Sequence, residues 1–339
     1  MRGTGVYTQN LIDALKRFEK GHTFSYFSRV EDIPQDASVV HYPFFDPFFV
    51  TLPLRKPKPT VVTVHDMIPL VFPDKFPAGV RGSIKWQIQK FSLMGARAVI
   101  TDSKASATDI IRVMGKARGW VHTVPLAPDP KFKPVKAAAS LDEMRKRYRL
   151  PNRYALYIGD VNWNKNVPGL LAAWKIALGN PDIRRNFSLV LAGSAFTDAE
   201  IPETRDILHM IESMGLAKSV LRPGFIKSDD MAALYSGASS VVLPSWYEGF
   251  GFPVLEAMAC GTPVVCTNRG SVSEISGPAT SGDPGNEKQF AGLITKTLLL
   301  GTNERQAMMK AGFVWQKSFS WERVAHETVA VYETAGTTT

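Results

Sequence analysis

Short apolar, β-branched runs alternate with segments of helical periodicity along almost the whole chain, and that alternation limits the fold more than any other feature. Residues 8–20 put Leu11, Ile12, Leu15 and Phe18 at helical spacing. Strand-like runs follow at 23–27, 38–42 and 59–65, then a helix at 85–94, a strand at 98–102, a helix at 106–114 and a strand at 120–124. Residues 125–151, charged and proline-containing, interrupt the pattern. It then resumes, strands at 154–158, 187–192 and 220–222 alternating with helices at 169–178, 204–214 and 229–236. Strands separated by helices form parallel sheets with both faces covered. Because 339 residues exceed what one core usually serves, two Rossmann-like, doubly wound α/β domains are expected. Their expected limits are 1–130 and 151–318, with a linker at 131–150 and a terminal helix at 319–339.

One unit of the second half combines that framework with chemistry. Runs 239–245 and 262–267 read as buried strands, and between them lie Glu248, Gly249, Gly251, Pro253 and Glu256. Pro253 fits the first position of a helix and Gly261 the residue just past its end. At the carboxyl end of a parallel strand, the amides of Phe250, Gly251 and Phe252 can face a diphosphate. Glu256, one turn in, suits a ribose diol, and Glu248, in the loop, suits a sugar. The plainer reading makes Glu248 a solvated loop residue and Glu256 an acid that complements the helix dipole.

With these residues in register the chain resembles the family 4 retaining glycosyltransferases, which have the GT-B fold and a Glu-x7-Glu signature. The resemblance extends from Gly3 to Tyr332 and includes Thr63-Val-His65-Asp66, Tyr157-Ile-Gly159, Asn164-Lys165-Asn166 and Phe319-Ser-Trp321. It implies two domains facing across a cleft, with the terminal helix crossing back to the first and Trp315, Phe319 and Trp321 as candidate anchors. Glu248 and His65 are the implied catalytic residues, although a lone strand-end histidine is also an ordinary structural residue. Glu256, Lys165, Asn164, Gly5, Phe250, Gly251 and Phe252 are the implied donor contacts, although a Gly-x-Gly turn at Gly3 and Gly5 needs no ligand to explain it. Where relatives carry a basic pair against the phosphates, Lys165 keeps the second place and Asn164 stands in the first. Asp160 also occupies a place where some relatives have Arg. Lys104 is a further candidate for a phosphate or acceptor contact.

The opening segment departs from the family pattern. Arg2-Gly-Thr-Gly-Val-Tyr leads straight into a helix with no strand before it, so the first strand of the N-terminal domain is read as missing. An empty central slot leaves backbone groups unpaired, at a cost of several kcal/mol by order of magnitude. The expectation is that Met1 is an internal start. The alternatives are that another segment fills the slot or that the domain is loosened.

No Asp-x-Asp pair occurs, so the expected site works without a metal, and no other cofactor is expected. Opening and loop motifs resemble a branch rich in O-antigen mannosyltransferases. The implied reaction moves a hexose, with GDP-mannose the first choice of donor, to a saccharide or lipid-linked acceptor with retention, in surface polysaccharide or glycolipid synthesis. A UDP-glucose-dependent glucosyltransferase and a non-catalytic nucleotide-sugar-binding protein are the alternatives. An epimerase or a phosphorylase of similar fold also stays open.

Composition narrows the partners. Cys260 and Cys266 are the only cysteines and sit in the apolar unit, which favours buried thiols over a disulfide or zinc. No apolar run is long enough to span a bilayer and no secretory leader is visible, so a cytoplasmic protein is expected. Residues 1–150 hold 24 lysines and arginines against 13 acids, the remainder 16 against 18. Arg55, Lys56, Lys58, Lys75, Arg81, Lys85 and Lys90 flank Phe44, Phe45, Phe48 and Phe49, a mixture suited to peripheral contact with the inner face of a membrane or a lipid phosphate. An ordinary solvated face is the alternative, since no helical stripe stands out. No nucleic-acid motif accompanies the charge.

Overall fold

The computed structural model describes residues 3–337; Met1 and Arg2, with the proposed internal start, lie outside the described residues. Along the chain run α1 (Gly3–Phe18), β1 (Val40–Tyr42), β2 (Thr60–Thr63), α2 (Ile68–Val71), α3 (Gly79–Met94), β3 (Ala98–Thr101), α4 (Lys104–Met114) and β4 (Val121–Thr123). Next come α5 (Ala138–Tyr148), β5 (Tyr154–Ile158), α6 (Val167–Ala177), α7 (Pro181–Asn186), β6 (Ser188–Ala192), α8 (Pro202–Ser213), β7 (Val220–Gly224) and α9 (Met231–Gly237). The remainder is β8 (Ser240–Leu243), α10 (Phe252–Ala259), β9 (Val264–Thr267), α11 (Gly270–Ile275), β10 (Thr280–Gly282), α12 (Glu287–Leu298), α13 (Thr302–Gln316) and α14 (Trp321–Thr337).

Two compact units result, one of residues up to Ala127 plus Phe319 onward, the other Pro128–Ser318. The first holds a parallel sheet in the order β1-β2-β3-β4, the second a parallel sheet in the order β10-β9-β8-β5-β6-β7. Strands β2, β3, β8 and β9 are buried at every position, as covering on both faces requires. Each unit has its own core. Val62, Val64, Leu93, Val99 and Ile110 anchor the first, and Leu170, Trp174, Leu189, Leu191 and Phe196 the second. Helix α14 packs on α1, β2 and β3 of the first unit, where Trp321 lies 6.3 Å from the Tyr7 ring. Trp315 stays in the second unit, donating to the Ile275 carbonyl at 2.8 Å.

Some elements differ from the pattern read in sequence. Residues 23–27 form no strand, since no described neighbour completes a ladder with them. They line a groove of about 760 Å³ together with Leu11, Ile12 and Leu15 of α1 and with Val40 and His41 of the edge strand β1. No strand among the described residues precedes β1. Within the charged stretch 131–150, Met144 is buried and α5 packs on α9, an apolar side masked in sequence by the surrounding lysines and arginines.

Candidate functional site

Strand β5 sits between β6 and β8, and the chain winds away from it through β6 and β7 on one side and through β8, β9 and β10 on the other. In an open parallel sheet, the carboxyl ends of the strands at such a reversal are the usual ligand-binding edge. The loops that follow β5 and β8 carry Asn164, Lys165 and Glu248.

The loop after β5 ends in a single turn, Trp163–Lys165, followed by Asn166 in the left-handed region at φ 52°. Asn166 Oδ1 accepts the Gly169 amide at 3.2 Å and so caps α6, while its Nδ2 donates to the carbonyls of Pro244 and Pro284 at 3.0 and 3.3 Å. Asn164 is buried; its backbone oxygen accepts the Trp246 amide at 2.8 Å and its Nδ2 donates to the Tyr247 carbonyl at 3.0 Å. Both asparagines therefore tie the β5 loop to the β8 loop. Lys165, between them, donates from Nζ to Glu248 Oε2 at 2.7 Å.

Glu248 is only 6% exposed. A carboxylate so enclosed needs partners for both oxygens. Lys165 serves one, and Ser245 Oγ donates to the other at 2.6 Å. Ser271 fixes the backbone by donating to the Glu248 carbonyl at 2.7 Å. The loop then enters α10 through Gly251, whose φ of +99° disfavours any side chain and whose added Cβ would stand 3.0 Å from Val272. The amides of Phe250, Gly251 and Phe252 donate to no protein acceptor among the described residues. They are the open N-terminal donors of α10, with the positive end of its dipole behind them. Phe250 itself is core, its ring edge-on to Phe252 at 5.1 Å.

Glu256 lies one turn further on and has separate partners. Tyr235 Oη donates to its Oε2 at 2.6 Å. Burial pushes this carboxyl up to about 7, against the opposing pull of the Tyr235 hydrogen bond and of Lys131. Burial, with the Glu256 charge beside it, also keeps the Tyr235 phenol well above its ordinary range, so it remains a donor.

In the first unit, His65 follows β2 and its Nδ1 meets Asp102 Oδ2 at 2.7 Å. Burial opposes protonation of this ring, but Asp102, Asp66 and the Pro43 backbone outweigh it and raise the imidazole's pKa. Tyr7 of α1 stands edge-on to His65 at 4.6 Å and its hydroxyl pairs with Thr63 Oγ1 at 3.0 Å. Gly5 lies in the first turns of α1 and Lys104 opens α4. Ser245, Ser271, Tyr235 and Asp102 escaped the sequence reading. Ser245, three residues before Glu248, was open to a local reading, and Asp102 shares with His65 the carboxyl ends of neighbouring strands; Tyr235 gave no signal.

Residues 142–315 match the family profile described as Glycosyl transferases group 1, just over half of the chain, and residues 31–132 match Glycosyltransferase Family 4. The chain belongs to the group 1 glycosyl transferases. This glycosyl transferase is 31% identical over 275 residues to O-antigen chain mannosyltransferase B of Escherichia coli, an alignment covering 80% of this chain and 70% of that protein. It is 27% identical over 287 residues to the serotype-specific mannosyltransferase WbdA of Escherichia coli, covering 83% of this chain but 34% of WbdA, so it spans about a third of that relative. Among solved structures, sucrose-phosphate synthase from Thermosynechococcus elongatus superposes with a TM-score of 0.67 at 24% identity, covering 83% of this chain and 68% of that one. The fold of this glycosyl transferase is GT-B, as the resemblance at Glu248 and Glu256 implied.

Proposed function

We propose that this glycosyltransferase moves a hexose, mannose from GDP-mannose in the first instance, to a saccharide or lipid-linked acceptor with retention of configuration, in surface polysaccharide or glycolipid synthesis. The observation that carries the reading is the meeting of Lys165 and Glu248 at the winding reversal of the second sheet, beside the open amides of α10. The mannosyltransferase names of the relatives favour the sugar. In this reading the amides of Phe250, Gly251 and Phe252 and the Lys165 ammonium meet the diphosphate, so that fixed protein charge rather than a metal stabilises the leaving group. Glu256 accepts the ribose diol. The bond from the anomeric carbon to the phosphate oxygen breaks, the acceptor oxygen bonds to that carbon on the same face, and its proton passes to the departing phosphate. Glu248 holds the sugar instead of attacking it. His65 and Gly5 are assigned to the same reaction on the family resemblance, and the basic, apolar surface of the first unit to peripheral membrane contact.

Thermal stabilisation by GDP, UDP and ADP selects the base, since a ligand that binds only the folded chain raises its melting temperature. Selection of UDP favours the glucosyl alternative. Transfer from the matching labelled donor, unchanged by a chelator, with NMR of the product anomer, tests the chemistry; an inverted product defeats it. Glu248→Ala is expected to lower kcat by about 10²–10³-fold, whereas Glu256→Ala raises mainly the donor KM. Near-normal kinetics in both variants removes the site. A second reading, non-catalytic binding, draws on Asn164, which ties loops together where relatives place a cation. Selective nucleotide binding without transfer or hydrolysis supports it.

A further inference from the structure

Helix α3 turns a broad apolar stripe to the outside. Its inward residues include the polar Gln89 and Ser92, 0% and 1% exposed, whereas Val80, Ile84, Ile88 and Phe91 are 79%, 58%, 36% and 72% exposed. At 100° per residue these four fall within one stripe about 80° wide. The polar inward residues hold an adjoining loop: Gln89 Oε1 accepts the Thr51 and Leu52 amides at 3.0 and 3.1 Å, and Ser92 Oγ donates to the Pro53 carbonyl at 2.6 Å. That loop exposes Phe49, Val50 and Leu54 by 63%, 64% and 60%.

Cations edge the stripe. On the helical wheel Arg81 and Lys85 lie to one side and Lys90 to the other, and no Asp or Glu occurs anywhere in 75–101. Lys85 Nζ stands 5.1 Å over the Phe49 ring and Lys90 Nζ 5.8 Å over Trp86. Asp46, the acid of the neighbouring loop, is turned onto the amides of Phe48 and Phe49 at 2.7 and 3.1 Å. Lys56 is committed to Ser92 and Pro53 and Lys58 to Gln35, so neither belongs to the rim.

A grouped apolar surface of this kind marks an interaction site. The cores of protein interfaces are depleted in lysine, whereas an apolar stripe with cations on both edges is the pattern of a helix lying in a bilayer surface. We propose that α3 and the loop 46–56 form a docking face for an anionic lipid bilayer, Val80, Ile84, Ile88 and Phe91 entering the headgroup and acyl boundary while Arg81, Lys85 and Lys90 stay at phosphate level. Among the described residues no helix is long and apolar enough to cross a membrane, which fits contact along the surface. The inference gives the membrane contact of the proposed function its residues, and does not depend on which sugar is transferred.

The test is sedimentation of the full chain with vesicles of phosphatidylcholine alone or mixed with phosphatidylglycerol. The mixed vesicles are expected to bind, salt to weaken binding, and Ile84→Ser/Phe91→Ser to lower it roughly tenfold or more. Lys85→Gln/Lys90→Gln is expected to lower it several-fold on mixed vesicles only, and it carries the test if the apolar variant fails to fold. Stabilisation by nucleotide stays unchanged in folded variants. No binding by the wild type, equal binding to both vesicles, or full binding by the variants overturns the proposal. So does self-association that the apolar variant abolishes while vesicles go unbound. Intact vesicle binding without nucleotide binding instead defeats the proposed reaction and leaves this face standing.

Discussion

The surroundings of Glu256 fix how its ionisation bears on stability and binding. In the unfolded chain a glutamate ionises near 4.5, whereas burial beside Tyr235 pushes Glu256 up to about 7. Between those values the folded chain keeps a proton that the unfolded chain has released, so this group's contribution to stability falls as pH rises from about 4.5 to about 7. Ligand binding runs the other way. A ribose diol donates hydrogen bonds, and the carboxylate accepts them better than the neutral acid does. Affinity for the nucleotide-sugar, measured by calorimetry, is therefore expected to rise several-fold between about pH 6 and pH 8, and Glu256→Gln to flatten the profile. A flat wild-type profile removes Glu256 from the ribose. The two glutamates and Lys165 were legible as a local pattern in sequence. Their partners were not: Tyr235 reaches Glu256 across 21 residues and Lys165 reaches Glu248 across 83.

At the scale of the element, α10 depends on how its first turn is entered. Gly251→Ala puts a methyl 3.0 Å from Val272 and 3.3 Å from Ile275 on a backbone at φ +99°. A cost of about 1–3 kcal/mol and weaker nucleotide binding are expected, because the open amides move with the turn. The same change at Gly292, within α12 with nothing within 4 Å of the added Cβ, is expected to stabilise by about 0.5–1 kcal/mol. Urea denaturation of the two variants reads the contrast, and equal effects would mean that the Gly251 geometry does not matter. Most strands were legible, since buried β-branched runs of four or five residues between glycine and proline signals have few alternatives. The helical periodicity over 85–94 begins six residues after α3 does, which leaves Val80 and Ile84 outside the pattern. Gln89 and Ser92 face the protein while Val80, Ile84, Ile88 and Phe91 face out, so the ordinary rule for finding the core pointed to the wrong side.

For the whole molecule, two separate cores imply two unfolding events. Scanning calorimetry of the full chain is expected to resolve two components, with nucleotide at 100 times its Kd adding about 2.7 kcal/mol to only one. Trp321→Ala, which empties a site beside Tyr7 in the first unit, is expected to lower the other by about 3 kcal/mol. If both perturbations move the same component, the assignment of the nucleotide to the second unit is wrong.

Alternating periodicity by itself determined that the chain builds two parallel α/β sheets, and the spacing of Glu248, Gly251, Pro253 and Glu256 determined where a loop carrying one carboxylate enters a helix carrying the other. Those signals span a turn or two of chain, the range over which backbone sterics and side-chain periodicity act. Only the tertiary structure decided that β5 lies against β8 and that Asn164 and Asn166 tie their loops together. Strand order and hydrogen-bond partners follow from covering both faces of each sheet and satisfying every buried polar group at once, a condition on the whole chain that no local stretch can express.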